Sequence, residues 1–480
     1  MFFNDLATPP TLRRAERAGV IRRLASGIWT ADLVSEPETI IAENIWEIVA
    51  RELPDAIVVD RSAACAGRID GGIVTVATDQ RASPLELPGV TVVVRPRVSH
   101  PSDTVWSHGL TASAPARALV DNLADSRARG RTARTLARPE LLDWLAGKFV
   151  TWGTARMKAL HSGATQIAVE LGHIDRIDAI HALFDELEGR HPLVSGATPY
   201  TRAVVAGTAW DVERLAMFDI AAQVAAELDL ERFDALYPDG ELPFFEAYFS
   251  NYIEGTEFTI EDARQIVETQ VPPARRAADG HDILGTHRCV VDPIGRARTS
   301  LDPDELVELM RSRHRTIMVG RPDIGPGEFK DTNNRVGSVA FVDPRLVPGT
   351  LARGLATAAT IPAGFARAAY VMFVLAEIHP FTDGNGRTAR LMMNAELSAV
   401  DGCRIVIPTV LRDEYMTALR RASAAGGDIT VLADVLAHAW RWTATMPWTD
   451  RAATDGQLAA TNALVDSKEA AERHVHLLLP

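Results

Sequence analysis

The twelve residues from His379 to Arg390 hold the side chains of this chain that are best suited to chemistry. They read His-Pro-Phe-Thr-Asp-Gly-Asn-Gly-Arg-Thr-Ala-Arg. His379 titrates near neutral pH and can take a proton from a hydroxyl group. Asp383 offers hard carboxylate oxygens, which suit a Mg²⁺ ion that bridges phosphates. These two residue types predict proton removal beside a metal-bound phosphate.

Glycines and arginines of the same stretch indicate a site for an anion. Gly384 and Gly386 permit positive φ, so their N–H groups can turn toward one point at the start of the next helix. Asn385, between them, can add a side-chain donor. Arg387 and Arg390 are three residues apart on that helix and can hold phosphate oxygens on one face. The stretch therefore predicts a nucleotide phosphate with Mg²⁺, and the alternative is a turn whose charges are solvated.

Two predicted helices must position this loop. The apolar run 365–378 favours a helix before it, and Pro380 disfavours continuation of that helix past His379. From Arg387 onward the apolar spacing predicts a second helix. The chemistry is therefore expected on a loop between two buried helices.

The twelve residues also resemble the Fic family signature, His-Pro-Phe-x-Asp-Gly-Asn-Gly-Arg-x-x-Arg, at every fixed position. Most Fic proteins transfer AMP from ATP to a hydroxyl side chain of a target protein and release pyrophosphate. The resemblance implies that His379 is the general base and Asp383 the Mg²⁺ ligand. The residues that it implies for nucleotide binding are Gly384, Asn385, Gly386, Arg387 and Arg390, with Asn394 and Tyr415 as further candidates.

A second stretch lies on an earlier predicted helix. Pro243 suits its first turn and Gly255 suits the residue just past its end. Ser250 and Glu254 are four residues apart, so they share a face. With Gly255 they resemble the inhibitory-helix motif of Fic proteins in which that helix precedes the core. The resemblance implies that Glu254 pairs with Arg390, the arginine for the γ-phosphate, and the alternative is an exposed residue at a helix end.

Residues 335–342 alternate short apolar residues near a turn and resemble the Fic flap. Such a hairpin would hold the target segment by strand pairing and align its hydroxyl group with His379. An ordinary exposed hairpin is the alternative.

Size and composition predict a multidomain globular protein. The chain has 480 residues, of which 47% are hydrophobic and 24% charged, which is an ordinary balance. Its formal net charge of −13 argues against a coat of nucleic acid along the whole chain. Three widely spaced cysteines fit no metal site. Without a signal peptide or a long apolar run, a cytoplasmic protein with no membrane partner is expected.

Five arginines crowd the first 35 residues, namely Arg13, Arg14, Arg17, Arg22 and Arg23. They predict either a winged helix that meets DNA phosphates or a solvated helix face. Residues 12–30 resemble the winged helix of AbiEi-type antitoxins, and residues 36–145 resemble the domain that follows it. The resemblance implies a regulatory α+β module with DNA as a partner.

The predicted fold class is a multidomain chain with an N-terminal winged helix and α+β module, then an all-α Fic fold with a β-hairpin flap. The predicted segments are a winged-helix-like module 1–35, an AbiEi-like α+β domain 36–145, a helical linker 146–196, helices including the inhibitory one 197–275, the Fic core 276–445 and a C-terminal tail 446–480.

Three functions are compatible with the sequence. The first is transfer of AMP from ATP to a Ser, Thr or Tyr hydroxyl of a target protein, inhibited by the contact between Glu254 and Arg390. The second is removal of AMP by the same site. The third is a DNA-binding transcriptional regulator with a nucleotide-sensing core. ATP, Mg²⁺ and a target protein are the expected ligands and partner, and a homo-oligomer stays open.

Overall fold

The computed structural model describes residues 2–3, 9–126, 132–194, 196–228, 232–234, 240–336 and 339–480. The chain forms two compact units, Met1–Ala206 and Gly207–Pro480. Residues 1 and 4–8 of the predicted N-terminal module and Gly337 of the predicted flap lie outside the described residues.

The first unit combines two sheets with helices. Its elements in chain order are β1 (Phe2–Phe3), α1 (Pro9–Arg17), β2 (Arg22–Ala25), β3 (Ile28–Thr30), α2 (Pro37–Glu43), α3 (Ile45–Glu52), β4 (Ile57–Val58), α4 (Asp60–Ala64), β5 (Ile73–Ala77), β6 (Leu85–Leu87), β7 (Val90–Arg95), β8 (Thr104–Val105), β9 (Thr111–Ala112), α5 (Pro115–Asn122), α6 (Arg138–Glu170), α7 (Ile177–Leu187) and α8 (Pro199–Val205).

The sheets confirm that the N-terminal part of the chain contains β structure, as the sequence predicts. Six strands form a mixed sheet in the order β6-β7-β5-β4-β9-β8, whose buried side chains pack with those of α2 and α3. A smaller sheet has the order β1-β3-β2. Beside it, Leu12 of α1 packs with Ile21 and Trp29 in a small buried cluster. The winged helix itself stays a prediction.

Helix α6 crosses the boundary predicted between residues 145 and 146, because it runs unbroken from Arg138 to Glu170. Pro139 occupies its first turn, where no intrahelical donor is needed. The Glu140 carboxylate accepts the Ala137 N–H at 2.6 Å, so the start of this helix is well capped. The predicted linker is therefore not separate from the segment before it.

Helices dominate the second unit. Its elements are α9 (Val212–Ala226), α10 (Leu242–Ile253), α11 (Ile260–Thr269), α12 (Ala277–Val291), α13 (Pro303–Ile317), β10 (Arg335–Val336), β11 (Val339–Ala340), α14 (Val347–Thr357), α15 (Phe365–Ile378), α16 (Asn385–Ser398), α17 (Arg412–Ala424), α18 (Thr430–Thr445), α19 (Arg451–Ala460) and α20 (Ser467–Arg473).

Three of these helices, α10, α15 and α16, are buried on nearly all sides. A helix surrounded in this way is expected to be apolar all round, and α15 fits that expectation. Helix α16 instead carries polar side chains, whose partners are described below. It begins at Asn385, two residues before the predicted start, because Gly384 adopts a left-handed φ of 73° as its N-cap.

The predicted hairpin is present as the antiparallel pair of β10 and β11, with Arg335 opposite Ala340. Its role in binding a target stays a prediction. The predicted C-terminal tail, 446–480, contains α19 and α20. It also contacts α10, because the Tyr252 hydroxyl donates to Asp466 at 3.2 Å, and Asp466 caps α20. Among the described residues, no helix combines the length and apolar character needed to cross a membrane.

Candidate active site

His379 lies at the end of α15 in a left-handed conformation with φ of 53°. Its Nδ1 lies 3.2 Å from the Ala376 carbonyl, which can only accept, so the proton resides on Nδ1 and Nε2 keeps a free lone pair. The ring of Phe341 stacks on the imidazole with a centroid distance of 3.8 Å. Burial lowers the pKa of His379. The imidazole is therefore held neutral and ready to accept a proton at Nε2.

Two side chains fix the loop that follows His379. Asn385 bonds the backbone of Phe381 twice, accepting its N–H and donating to its carbonyl, both at 2.8 Å. His314 donates from Nε2 to the Asp383 carbonyl at 2.9 Å and stacks on Phe381. These bonds use the oxygen and one of the two N–H donors of the Asn385 amide, so its predicted contact with phosphate stays a prediction.

The backbone at the start of α16 offers donors of its own. Among the described residues, the first N–H of this helix to bond a carbonyl is that of Thr388, which bonds Gly384 at 3.0 Å. The N–H groups of Asn385, Gly386 and Arg387 therefore remain at a helix N-terminus, where an anion is favoured. Gly384 has the positive φ that the sequence analysis expects, whereas Gly386 lies within α16 and does not. The binding of phosphate at this helix N-terminus, the predicted anion site, stays a prediction.

Glu254 reaches this anion site from α10. Its Oε1 accepts a hydrogen bond from Arg390 Nη2 at 2.7 Å. The same oxygen would lie 2.1 Å from a Cβ atom built on Gly386, so only glycine allows the carboxylate to approach so closely. The Glu254 carboxylate thus engages the last arginine of the loop and also lies against the N-terminus of α16.

The end of α10 directs Glu254 toward the loop. Gly255 has a φ of 88°, and its N–H bonds the Tyr252 carbonyl at 2.9 Å, while the Thr256 N–H bonds the Asn251 carbonyl at 3.1 Å. This is a Schellman motif, which ends a helix at a defined residue. Its consequence is that Glu254, the last residue before the glycine, has a fixed backbone.

Ser250 completes the contact between α10 and Arg390. Its hydroxyl oxygen accepts from Arg390 Nε at 3.0 Å, and its carbonyl accepts from Nη2 at 2.7 Å. Arg390 is only 5% exposed, so these charge-assisted bonds are protected from water. The sequence motif Ser250-x-x-x-Glu254 therefore has both of its polar side chains on one arginine.

Arg387 and Asp383 belong to a closed ring of four charges that the sequence did not reveal. Asp282 of α12 accepts hydrogen bonds from Arg387 and, at 2.7 Å, from Arg321. Asp383 accepts from Arg321 at 2.8 Å and lies 3.5 Å from Arg387 Nη2. Each carboxylate thus meets both guanidinium groups. Asp282 and Arg321 lie far from the motif in sequence, and no spacing rule identifies them.

Asp383 fits the role of a Mg²⁺ ligand that shares the ion with phosphates. Its side chain is 42% exposed, and Mg²⁺ in nucleotide sites commonly takes one or two protein carboxylates together with phosphate oxygens. Among the described residues, no group of three His, Cys, Asp or Glu side chains could hold a metal ion without such help. The donor set therefore suits an ion that arrives with a nucleotide.

Asn394 and Tyr415, the remaining candidates for the nucleotide pocket, lie in the core. The Asn394 amide donates to Glu246 and to the Ile405 carbonyl, both at 2.9 Å, and accepts the Ile405 N–H at 2.7 Å. The Tyr415 hydroxyl lies 3.2 Å from Met372 Sδ, and its residue is 1% exposed. Both side chains are buried, and the Tyr415 hydroxyl also interacts with the Arg390 guanidinium. Their roles in nucleotide binding stay predictions.

Loss of the Asp282 carboxylate is expected to destabilise the second unit. Asp282 is fully buried, and Asp282→Ala would leave the buried Arg387 guanidinium without its strongest partner. Removing one member of a buried ion pair costs about 3–5 kcal/mol, so the free energy of unfolding should fall by that amount. Chemical denaturation of the full chain, followed by tryptophan fluorescence, measures it.

Asp279 provides the matched control on the same helix. Its side chain is 30% exposed and lies 3.6 Å from Arg321 Nη2, so Asp279→Ala should cost about 1 kcal/mol or less. Equal effects of the two substitutions would contradict the importance assigned to the four-charge ring.

Comparisons with known proteins identify similar chains. Residues 301–397 match the Fic/DOC family. The chain is 29% identical over 283 residues to a protein adenylyltransferase Fic of Nematostella vectensis, an alignment that covers 51% of this chain and 62% of that one. It is 31% identical over 202 residues to the protein adenylyltransferase Fic of Drosophila persimilis, covering 39% of this chain and 37% of the relative. These alignments thus span less than two thirds of either relative.

A solved structure also aligns with the chain. It is a Fic domain containing signaling protein from Bacteroides thetaiotaomicron, with 19% sequence identity and a TM-score of 0.39, covering 51% of this chain and 97% of that chain.

Proposed function

We propose that this chain, whose residues 301–397 match the Fic/DOC family, is a protein adenylyltransferase that moves AMP from ATP to a Ser, Thr or Tyr hydroxyl of a target protein. The observation that carries this proposal is the meeting of a neutral base, a half-exposed carboxylate and an anion site within one loop. The phosphates of a nucleoside triphosphate suit the anion site, and the Mg²⁺ that accompanies them suits the carboxylate. A hydroxyl nucleophile has a proton for the base.

The proposed reaction assigns one role to each part of the loop. The open N–H groups at the start of α16 bind phosphate oxygens. His379 Nε2 removes the proton of the target hydroxyl, whose oxygen forms a bond to the α-phosphorus while the bond to pyrophosphate breaks. Asp383 would hold Mg²⁺, which supplies charge neutralisation between the phosphates. Positioning and charge stabilisation carry most of such a transfer.

In the proposed resting state the nucleotide cannot adopt its reactive pose. Arg390, assigned to the γ-phosphate, is bonded to Ser250 and Glu254. A carboxylate at the N-terminus of α16 also repels the phosphates that would bind there. The proposal is therefore an enzyme that is inhibited by its own helix α10.

Mass spectrometry of a cell lysate tests the proposed activity. The lysate is incubated with the Glu254→Gly variant and ATP, and proteins that gain one AMP on a hydroxyl side chain are the expected result. ATP labelled at the α-phosphorus should transfer its label, whereas ATP labelled at the γ-phosphorus should not. Failure of the α-label to enter any protein would end the proposal.

Removal of AMP is a second proposed activity of the same site, and the position of Glu254 supports it. Its carboxylate is 31% exposed and lies beside the phosphate site, where it can orient a water molecule. Wild-type protein incubated with an AMP-modified target separates the two activities. Removal needs Glu254, so the Glu254→Gly variant should lose it while transfer increases.

DNA binding by the first unit is a further proposed property, but it involves fewer arginines than the sequence suggests. Arg22 is used in a turn, donating to the Asp32 carbonyl at 2.8 Å. Arg23 donates to the Ala25 carbonyl at 3.0 Å. The arginines left on the exposed face of α1 are Arg13, Arg14 and Arg17.

Replacement of these three arginines by alanine is expected to weaken binding to the DNA upstream of the gene for this chain. The salt dependence of binding should also fall, by about 0.9 in the slope of log affinity against log salt for each phosphate that no longer meets an arginine. An electrophoretic mobility shift at several salt concentrations measures both. Alanine at the exposed Arg420 and Arg421 of α17 is the control and should change neither.

A further inference from the structure

The segment just before the hairpin, residues 330–334, donates hydrogen bonds to the backbone of the two residues that follow His379. The Lys330 N–H donates to the Pro380 carbonyl at 2.9 Å. Four residues later, the Asn334 amide donates to the Phe381 carbonyl at 3.0 Å. We call residues 330–334 the Lys330–Asn334 strap, since they tie both residues that follow His379.

The side chain of Lys330 also contacts the residue that precedes His379. Its ammonium group donates to Asn334 Oδ1 at 2.7 Å and lies 3.5 Å from the Ile378 carbonyl, the last of α15. Lys330 is 4% exposed and forms no salt bridge with the residues that the structure describes. A buried ammonium without a carboxylate partner is costly, which is typical of functional positions.

The turn that the strap holds is a strained one. His379 is not a glycine, yet its φ is 53°, a conformation that is unfavourable for an L-residue because its Cβ crowds the backbone. Such a conformation persists only where surrounding contacts determine it. The contacts here are the carbonyl groups of Ile378, Pro380 and Phe381, all of which accept from the strap.

We propose that Lys330 is a positioning residue for the transfer reaction: it holds the left-handed turn that aims His379 Nε2, and its ammonium charge favours the neutral imidazole. This inference rests on the proposed function, because it names a residue that positions the general base of that reaction.

The other charges around these two groups set the size of the electrostatic effect. Lys330 lowers the pKa of His379, whereas the carboxylates of Glu254 and Asp383 raise it, and burial is the largest influence. Lys330 itself faces Asp343 and Arg214, and its burial lowers its pKa to about 8. It therefore remains mostly protonated at neutral pH.

Two substitutions separate the charge of Lys330 from the strap that it forms. Lys330→Met removes the ammonium group but keeps a long apolar side chain, and Asn334→Ala removes the bond to Phe381 while the charge stays. In the Glu254→Gly background, both should lower kcat with KM for ATP unchanged, on the order of tenfold to a hundredfold, because a misplaced base loses that much. Lys330→Arg should restore part of the rate.

The titration of His379 distinguishes the two variants. In protein with isotope-labelled histidine, the His379 resonance is identified by its loss in His379→Gln. Its pKa should rise in Lys330→Met, because the cation that lowers it is removed, and stay unchanged in Asn334→Ala and Lys330→Arg. The acid limb of the rate profile should move to higher pH by the same amount in Lys330→Met alone.

Outcomes that overturn the inference are distinct from failure of the proposed function. An unchanged His379 pKa in Lys330→Met would show that the charge of Lys330 does not act on the imidazole. An unchanged kcat in Asn334→Ala would show that the strap does not position His379. A Lys330→Met protein that melts far below its parent, with Asn334→Ala fully active, would assign Lys330 to folding alone. Absence of transfer by Glu254→Gly itself would instead end the proposed function, while the titration would still test the effect of Lys330.

Discussion

Incorporation of AMP into protein should increase by about tenfold to a hundredfold when Glu254 is replaced by glycine. A hydrogen bond to a charged group contributes about 1.5–3 kcal/mol, and each 1.4 kcal/mol corresponds to a factor of ten. The bond between Glu254 and Arg390, 2.7 Å long, is of this kind. Its removal releases Arg390 from its carboxylate partner, with only the two bonds to Ser250 left, and also removes a negative charge from the N-terminus of α16.

The measurement is the initial rate of label transfer from α-labelled ATP to protein. Glu257→Gly is the matched control, because it makes the same replacement three residues later at an exposed position. It should leave the rate near that of the wild type. Equal rates for the wild type and Glu254→Gly would show that the contact does not limit the reaction.

Replacement of His379 by alanine should reduce transfer in the Glu254→Gly background by about 10²–10⁴-fold, the usual contribution of a general base. Binding of ATP should be retained, because the phosphate donors lie on α16 and Arg390. Label transfer and ATP affinity, measured on the same preparations, check both parts. Transfer within threefold of the parent would remove His379 from the role of base.

The pH profile of the parent variant gives a second measure of His379. The base acts in its neutral form, and burial lowers its pKa below the ordinary value of 6.5. The rate should therefore fall as pH decreases through a midpoint below that value, and should not depend on this group at higher pH. A midpoint above 6.5 would mean that another group controls the acid limb.

The contact between α10 and the loop was accessible from sequence because its residues lie in two short motifs. Ser250 and Glu254 share a helix face, and Arg390 is the last residue of a twelve-residue motif with a recognisable order of residue types. The local geometry follows from glycine: Gly255 ends α10, and Gly386 leaves room for the carboxylate. Helix spacing placed Ser250 and Glu254 on one face, whereas their pairing with Arg390 was implied by the resemblance to a family motif.

The support of the loop was not accessible from sequence. His314, Asp282 and Lys330 each come from a different segment and act through the tertiary fold, so their spacing relative to the motif carries no signal. Asn385 shows the opposite limit, because its side chain bonds Phe381 four residues earlier, a local use that competes with ligand binding. Residue type alone does not decide between the two.

Boundaries were also difficult to predict where a helix continues through a change in composition. Helix α6 extends across the predicted start of the linker because Pro139 and Glu140 stabilise its first turn and apolar residues continue beyond residue 145. Composition describes what a segment contains, whereas a boundary depends on which segments it packs with.

The bond between Tyr252 and Asp466 has a consequence for the order of events during synthesis. Tyr252 lies two residues before Glu254, and its partner is more than two hundred positions later in the chain. A ribosome makes α10 and the catalytic loop before it makes α20. The growing polypeptide therefore passes through a stage in which the loop exists while this anchor for α10 has yet to be translated.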